Sequence, residues 1–599
     1  MSAPSRSRLT CAACTRRKVK CSKTVPCTNC IRRGQQDTCG IENEITSALH
    51  SQCRQEVDCP GIHQESIEET PARDAATVLE FLAWGRRKDP DCHTDASLET
   101  EETGMGSLDN LSLAVLQLLL PSQHQVQQLV EYHIEGLLWY HCSFFASTFQ
   151  TQLRTFYDEQ DGVIRQSSTS LQWTALLFSI LTASMTCAPA ARVRLWGFGE
   201  TEQATLSQKW FQAISACLTH ANYTSNLSIL SCQAIATATT SAHLLGFSTT
   251  QSIHLATAVR IAQSLGLHRL SPDVNDNSTE TGRRVWCQLC TQDWFSIPFS
   301  DTYLVSPKYS TLPDYNIVES DQPTTTSYSR FLYNVAIIMP QLQDNLVSCN
   351  TPYTRYEKVL YWDNILRGLA TRSRPPFMTN GPLDPTWPLW VPWARHALAI
   401  NSSPKIIMIH RSFLLDSFEN PAFAFTRRTC LAASKTIIKE YKSLIAEDGP
   451  TLWIHQAFAV AASITLCLDI LYRDASDEQS SDHQALVKDI LQIMQSRRDS
   501  MIAIRGTKLL GALLAHASQR QKKRKRDGTF VRLDISTLIK QYYQMDADNP
   551  GDLDNATQAC DNPPSNDLPD FSYPLSFPLG ANGFDNLLYL ANYDLEVSI

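Results

Sequence analysis

Cys11-Ala-Ala-Cys14-Thr-Arg-Arg-Lys18-Val-Lys-Cys21-Ser-Lys-Thr-Val-Pro-Cys27-Thr-Asn-Cys30-Ile-Arg-Arg-Gly-Gln-Gln-Asp-Thr-Cys39 is the stretch that decides how the N-terminus folds. Six thiols fall within 29 positions, first as Cys-x2-Cys-x6-Cys and then, five residues on, as Cys-x2-Cys-x8-Cys. The pattern is an internal duplication. The first 36 residues also carry nine cations (Arg6, Arg8, Arg16, Arg17, Lys18, Lys20, Lys23, Arg32 and Arg33), and no acid precedes Asp37. A unit of about 30 residues has almost no apolar core of its own, so something else must supply its folding energy.

Zinc suits this ligand set. It is borderline-soft, takes thiolate sulfur at about 2.3 Å and prefers four tetrahedral ligands. Two separate tetrahedral ions need eight sulfurs. Six suffice when two of them bridge both metals. Each Cys-x2-Cys turn then starts a short helix, the third cysteine folds back, and the neighbouring Lys and Arg groups help hold the thiolates ionised. Metal binding is the folding energy of such a unit.

The run Cys11-Ala-Ala-Cys14-Thr-Arg-Arg-Lys18-Val-Lys-Cys21, with Pro26 before Cys27, resembles the fungal zinc binuclear cluster (Zn2Cys6) DNA-binding domain. The resemblance implies two zinc ions bridged by Cys11 and Cys27. Cys14 and Cys21 complete one site; Cys30 and Cys39 complete the other. It also implies that the end of the first helix enters the major groove at a CGG-type triplet, with Lys18 and its neighbour Arg17 toward the bases. Guanine O6 and N7 accept from such donors. The remaining cations, Arg6, Arg8, Arg16, Lys20, Lys23, Arg32 and Arg33, are read as phosphate contacts, which give register and salt-dependent affinity. Position 15 departs from the pattern: it is Thr15 where an arginine is common.

Outward from the cluster, the chain has 599 residues, 43% hydrophobic and 19% charged, enough for a sizeable core. The net charge of −8 hides an asymmetry, because residues 541–599 carry ten acids and no Lys or Arg. A basic head and an acidic tail point to a nucleic-acid contact at one end. No apolar stretch follows the N-terminal cations, so a reducing compartment and thiol or metal chemistry for the 19 cysteines are expected.

The reading divides the chain into a zinc unit at 1–40, a mostly disordered linker at 41–110, a large all-α regulatory domain at 111–515 (in one or two lobes), a basic segment at 516–530 and an acidic-hydrophobic tail at 545–599. In the all-α region apolar residues recur at helical spacing. Ser122 is expected to cap a helix burying Val126, Leu129, Val130, His133 and Leu137. Ser252 is expected to cap another, with Leu255, Val259, Ala262 and Leu265 inward and Gly266 at its end. Residues 166–191, though uncharged over much of their length, are interrupted by Ser, Thr and Gln and read as a core helix rather than a membrane span; 452–471 is a third strong helix. Pro-rich loops are expected at 306–323 and 375–392.

Other signals are weaker. His50, Cys53, Cys59 and His63 are zinc-type ligands in the linker, in an order that fits no known module, and read as solvated chain. Cys287 and Cys290 read as core thiols. The segment 253–269, followed by Arg283, Arg284, Trp286, Asp293 and Trp294, resembles the signature of the fungal-specific transcription factor middle domain. That resemblance implies a regulatory role and identifies no ligand pocket; His254 and His268 read as helix-surface or capping residues. Lys522, Lys523, Arg524, Lys525 and Arg526 resemble a monopartite nuclear import signal. Phe584, Leu587 and Leu588 have the spacing of a short helix induced in a coactivator groove. Ile41, Ile45 and Leu49 span under two heptads, too few for a stable coiled coil, so a homodimer and a monomer both stay open.

Together these readings predict a nuclear, zinc-dependent transcription factor of RNA polymerase II genes. Its partners are double-stranded DNA with CGG-type triplets and transcriptional coactivators, with no membrane. It is predicted to activate a biosynthetic, secondary-metabolite gene cluster. The alternatives are a catabolic or nutrient regulator, and a zinc-dependent protein-interaction adaptor. No catalytic residues are assigned: the chain lacks a Gly-rich phosphate loop, a His-Glu-x-x-His run and a Gly-x-Ser-x-Gly elbow.

Overall fold

The structure is a computed structural model. It describes Cys14, residues 19–22, 24 and 26–34, and residues 112–527 apart from 271–275, 301, 310–322, 380, 474–476 and 498–499; for 298, 299, 309 and 521–527 it describes the backbone only. The chain divides into two compact units, Met1–Glu68 and Glu69–Ile599. No β-strand occurs among the described residues. The linker 41–110 and the tail 545–599 lie outside the described residues.

In the first unit one short helix, α1 (Thr28–Ile31), starts directly after Cys27, and the turn that follows it closes at Gly34, whose φ of 65° is the left-handed conformation that glycine adopts without cost. In the second unit the helices used below are α2 (Gln123–Gly136), α3 (Leu138–His141), α4 (Ala146–Asp158), α5 (Ser168–Cys187), α6 (Glu200–His220), α7 (Ile229–Ala242), α8 (Ser248–Ser264), α9 (Asn277–Phe295), α10 (Thr325–Ala336), α11 (Pro352–Arg372), α12 (Trp390–His410), α13 (Ala424–Ala446), α14 (Trp453–Tyr472), α15 (Glu478–Gln495) and α16 (Met501–Asp527). Two central helices organise the packing. α5 is covered by α2, α6 and α7, and α14 by α12, α13, α15 and α16. A single continuous apolar core joins the two groups.

α5 and α14 are both long and apolar enough to cross a membrane, yet 94% of each apolar window is buried inside the protein. They are core helices, as the polar interruptions of 166–191 predict. The structure also shows what those interruptions do. Ser179, Thr182 and Thr186 donate to the carbonyls one turn earlier, at 2.6–2.8 Å. Ser184 reaches across to the Leu129 carbonyl of α2 at 2.7 Å. Gln172 donates to the Asn226 carbonyl and accepts from the Ser231 hydroxyl of α7. Every one of these buried polar groups is bonded, which is the condition for placing it at the centre of a core.

α2 begins at Ser122 with a reciprocal capping box to Gln125, and Val126, Leu129, Val130, His133 and Leu137 are all buried. The start of α8 differs from the expected one. The helix begins at Ser248, not after Ser252, and Ser252 sits exposed in its first turns. Tertiary contact overrides the local signal here. The Ser248 hydroxyl is 2.9 Å from His243 Nδ1, and Gln251 donates to the Ile235 carbonyl and to Thr239 of α7, which holds the early turn in place. Leu255, Val259 and Ala262 face inward, but Leu265 is 38% exposed, beyond the last helical turn. Gly266, at φ 75°, ends the helix as expected. The second Pro-rich loop stops at Leu389; Pro392 lies in the first turn of α12, where a missing N–H costs nothing.

Candidate metal centre and nucleic-acid interface

In the first unit Cys14, Cys21, Cys27 and Cys30 are buried together. No described cysteine is in a disulfide. The sulfurs of Cys14, Cys27 and Cys30 lie within 4.8 Å of one another, and those of Cys14 and Cys27 are 3.5 Å apart. A tetrahedron with zinc–sulfur bonds of about 2.3 Å has an edge of about 3.8 Å. The Cys14–Cys27 separation is close to that edge, so these two thiols suit one metal, and Cys30 is near enough for Cys27 to serve a second. Four thiols do not come together from opposite halves of a 30-residue unit for apolar reasons. Cys11 and Cys39 lie outside the described residues.

Local bonds carry the chain between these thiols. Val19 N–H donates to the Cys14 carbonyl at 3.2 Å, closing the segment that follows the first pair. The Cys27 carbonyl accepts from Cys30 and Ile31 N–H, which makes the second Cys-x2-Cys a helical turn. Two further bonds link the halves. The Thr28 N–H at the start of α1 donates to Ser22 Oγ at 3.0 Å, and Asn29 Nδ2 donates to the Lys20 carbonyl at 2.8 Å. Sequence reasoning misses Ser22 and Asn29. No spacing rule marks a Ser or Asn whose partner lies six or nine residues away.

Among the cations read as DNA contacts, Lys20, Arg32 and Arg33 are described and exposed. Arg6, Arg8, Arg16, Arg17, Lys18 and Lys23 lie outside the described residues. Lys522, Lys523, Arg524, Lys525 and Arg526 fall in the last turns of α16.

In the second unit the signature-like residues bind the scaffold. Arg284 of α9 pairs with Glu280 at 2.9 Å, donates to Thr326 of α10 at 3.0 Å and lies 3.9 Å over the Phe145 ring. The Asp293 carboxylate accepts from Leu304 and Val305 N–H, and Trp294 Nε1 donates to the Val305 carbonyl at 2.7 Å. Burial pushes the Asp293 carboxyl up to about 6, against those two backbone bonds. Cys287 and Cys290 are buried. His254 is half-buried and its imidazole is lowered to about 4 by desolvation; His268 packs 5.7 Å from the Trp286 ring.

Two buried polar clusters brace the second half of this unit. Asp469 of α14 accepts from Arg427 at 2.8 Å, lies 2.9 Å from His483 and also pairs with Arg473. Burial pushes its carboxyl up, but the bonds from His483 and Arg473 and the Arg427 charge outweigh it and hold it at about 2. His410 joins Asp363, at 3.3 Å, to Thr426, at 2.9 Å. That carboxylate–imidazole–hydroxyl order has the connectivity of a nucleophilic relay. All three are buried, however, and the Thr426 hydroxyl donates to Tyr356.

Residues 9–47 match the fungal Zn(2)-Cys(6) binuclear cluster domain. The chain therefore carries this domain at its N-terminus, and the domain takes two zinc ions. Over most of its length the chain is similar to the agnestins biosynthesis cluster transcription factor of Paecilomyces divaricatus, with 21% identity across 86% of this chain and 85% of that protein. A shorter similarity, 44% identity over 46 residues and 8% of each chain, connects it to a component of the centromere DNA-binding protein complex CBF3 of Saccharomyces cerevisiae.

Proposed function

We propose that the chain is a nuclear, sequence-specific DNA-binding transcription factor that reads CGG-type triplets through its zinc cluster and activates a biosynthetic gene cluster. The observation that carries the reading is the convergence of Cys14, Cys27 and Cys30 within 4.8 Å in a unit whose first 36 residues hold nine cations. Cys11 and Cys27 bridge the two ions, Cys14 and Cys21 complete one site, and Cys30 and Cys39 the other. Arg17 and Lys18 read bases. Arg6, Arg8, Arg16, Lys20, Lys23, Arg32 and Arg33 contact phosphates. The component of the centromere DNA-binding complex, similar over this domain alone, supports the contact with DNA. The biosynthesis-cluster relative, similar over most of the chain, supports the choice of pathway.

The helical unit is the regulatory part, the basic end of α16 directs import, and residues 545–599 recruit coactivators. The chain is not an enzyme; the buried state of Asp363, His410 and Thr426 supports this, since that hydroxyl is turned to Tyr356 rather than to a substrate. The deciding measurement is a gel shift of the zinc-loaded chain on DNA with and without CGG triplets. Discrimination is expected, with Lys18→Ala abolishing it. A chain that binds zinc but shows no preference is instead the protein-interaction adaptor. A reporter fused to residues 515–530 should enter the nucleus, and one that stays cytoplasmic refutes the import role.

A further inference from the structure

We infer that Asn29 is a positioning residue: through the Lys20 backbone it holds that cation where a DNA phosphate meets it. The inference rests on the DNA reading proposed above. Asn29 stands in α1, in the second half of the duplicated unit, and its Nδ2 donates to the Lys20 carbonyl of the first half at 2.8 Å. A second bond runs the same way between the halves, from the Thr28 N–H to Ser22 Oγ at 3.0 Å. The two bonds form a clasp around Cys21, which is buried, and neither uses a thiol.

The clasp does something the metal does not. A zinc–sulfur bond at Cys21 fixes that side chain but leaves the preceding peptide free to rotate about its flanking dihedrals. Val19 N–H is held by the Cys14 carbonyl, and the Lys20 carbonyl is held by Asn29, so the backbone on both sides of Lys20 is set. Lys20 itself is exposed. Its ammonium rides on a flexible four-carbon stem, so the anchored backbone decides which region the charge can sample. Asn29 thus acts on affinity through Lys20, not on the choice of base.

The test is a double-mutant cycle on the zinc-loaded full chain, comparing wild type, Lys20→Ala, Asn29→Ala and the pair. Binding is measured to CGG-containing and scrambled DNA between 50 and 200 mM salt, the range in which phosphate contacts are most visible. Asn29→Ala is expected to weaken both DNAs by the same factor, roughly threefold to tenfold, and to lower the salt slope toward that of Lys20→Ala, by about 0.9. The pair should be no weaker than Lys20→Ala alone, because the two residues act as one. All four proteins should hold two zinc ions, and hydrogen exchange of a peptide covering 19–24 should be faster in Asn29→Ala. The inference is overturned if the single losses multiply, if the slope is unchanged, if zinc is lost from Asn29→Ala, or if Lys20→Ala binds like wild type. When the wild type still discriminates CGG in those cases, the DNA reading stands and only the positioning role falls. Absence of zinc-dependent DNA binding by the wild type overturns both.

Discussion

The two units reach a folded state by opposite routes. In the first, the described interior is four thiols, and the chain around them is polar and cationic. Little apolar surface leaves water there, so the unit is ordered by whatever the thiols hold. In the second, two almost wholly buried helices, α5 and α14, are each wrapped by others, and order comes from apolar burial, with the buried Gln172, Thr174, Ser179, Thr182, Ser184 and Thr186 of α5 all bonded. The difference teaches where each unit is vulnerable. The first is vulnerable to removal of its metal. The second is vulnerable where its interior is hollowed or its buried charges are unpaired.

Chelation is the strongest way to break this contrast. Structural zinc contributes about 10–16 kcal/mol of apparent binding free energy in small zinc domains. A chelator is therefore expected to abolish DNA binding while the far-ultraviolet helical signal, which comes from the second unit, is retained. Parallel loss of both signals would show that the units are not independent.

Hollowing the second unit should give the reverse result. Phe178 is fully buried in α5. Phe178→Ala is expected to lower stability by about 3–5 kcal/mol in a denaturant titration, through lost burial and a residual cavity. Zinc content and DNA affinity below the new midpoint should be unchanged.

The buried charge of Asp469 makes a smaller, pH-dependent contribution. Its carboxyl sits at about 2 in the folded chain, below the 3.8 of the free side chain. Its stabilisation is therefore present above pH ~4 and lost as pH falls through ~2. At one pKa unit per 1.36 kcal/mol, that is on the order of 2 kcal/mol at neutral pH. Asp469→Asn should lose roughly this amount at pH 7 and flatten the dependence between pH 4 and 2, read from denaturation midpoints. An unchanged acid slope would remove Asp469 as its source.

Replacing His455 should shift stability the other way, although its pH slope has the same sign as that of Asp469. It is buried, neither ring nitrogen has a hydrogen-bond partner, and desolvation lowers its imidazole to about 3. Such a base is neutral in both states above the pKa of the free imidazole, near 6.5, and costs nothing there; below it the unfolded chain takes up a proton that the folded chain does not, so stability falls as pH drops toward 3. His455→Phe keeps the aromatic packing against Tyr140 and should be more stable than wild type at pH 5, by about 1–2 kcal/mol, and less distinguishable at pH 8. The smallest effect is expected at the α2 cap. Ser122→Ala removes the hydroxyl half of the capping box, leaving the backbone N–H bond to Gln125, and should cost about 1 kcal/mol, with no effect on zinc or DNA.

The sequence by itself determined the chemistry of the first unit and the class of the second. Thiol spacing is a local property, and a metal that demands four sulfurs leaves few ways to satisfy six. Helical period is likewise local, so the inward face of α2 could be read from residue order, and the polar interruptions of α5 marked it as a core helix. Tertiary structure decided what depends on distant partners. The start of α8 moved because Gln251 finds α7, not because of any residue near Ser252. Asp469 draws its partners from α13, α15 and its own end, at separations no periodicity encodes. The clasp of Ser22 and Asn29 is the same lesson in miniature. A hydrogen bond needs two groups at about 3 Å, and only the folded chain says which two they are.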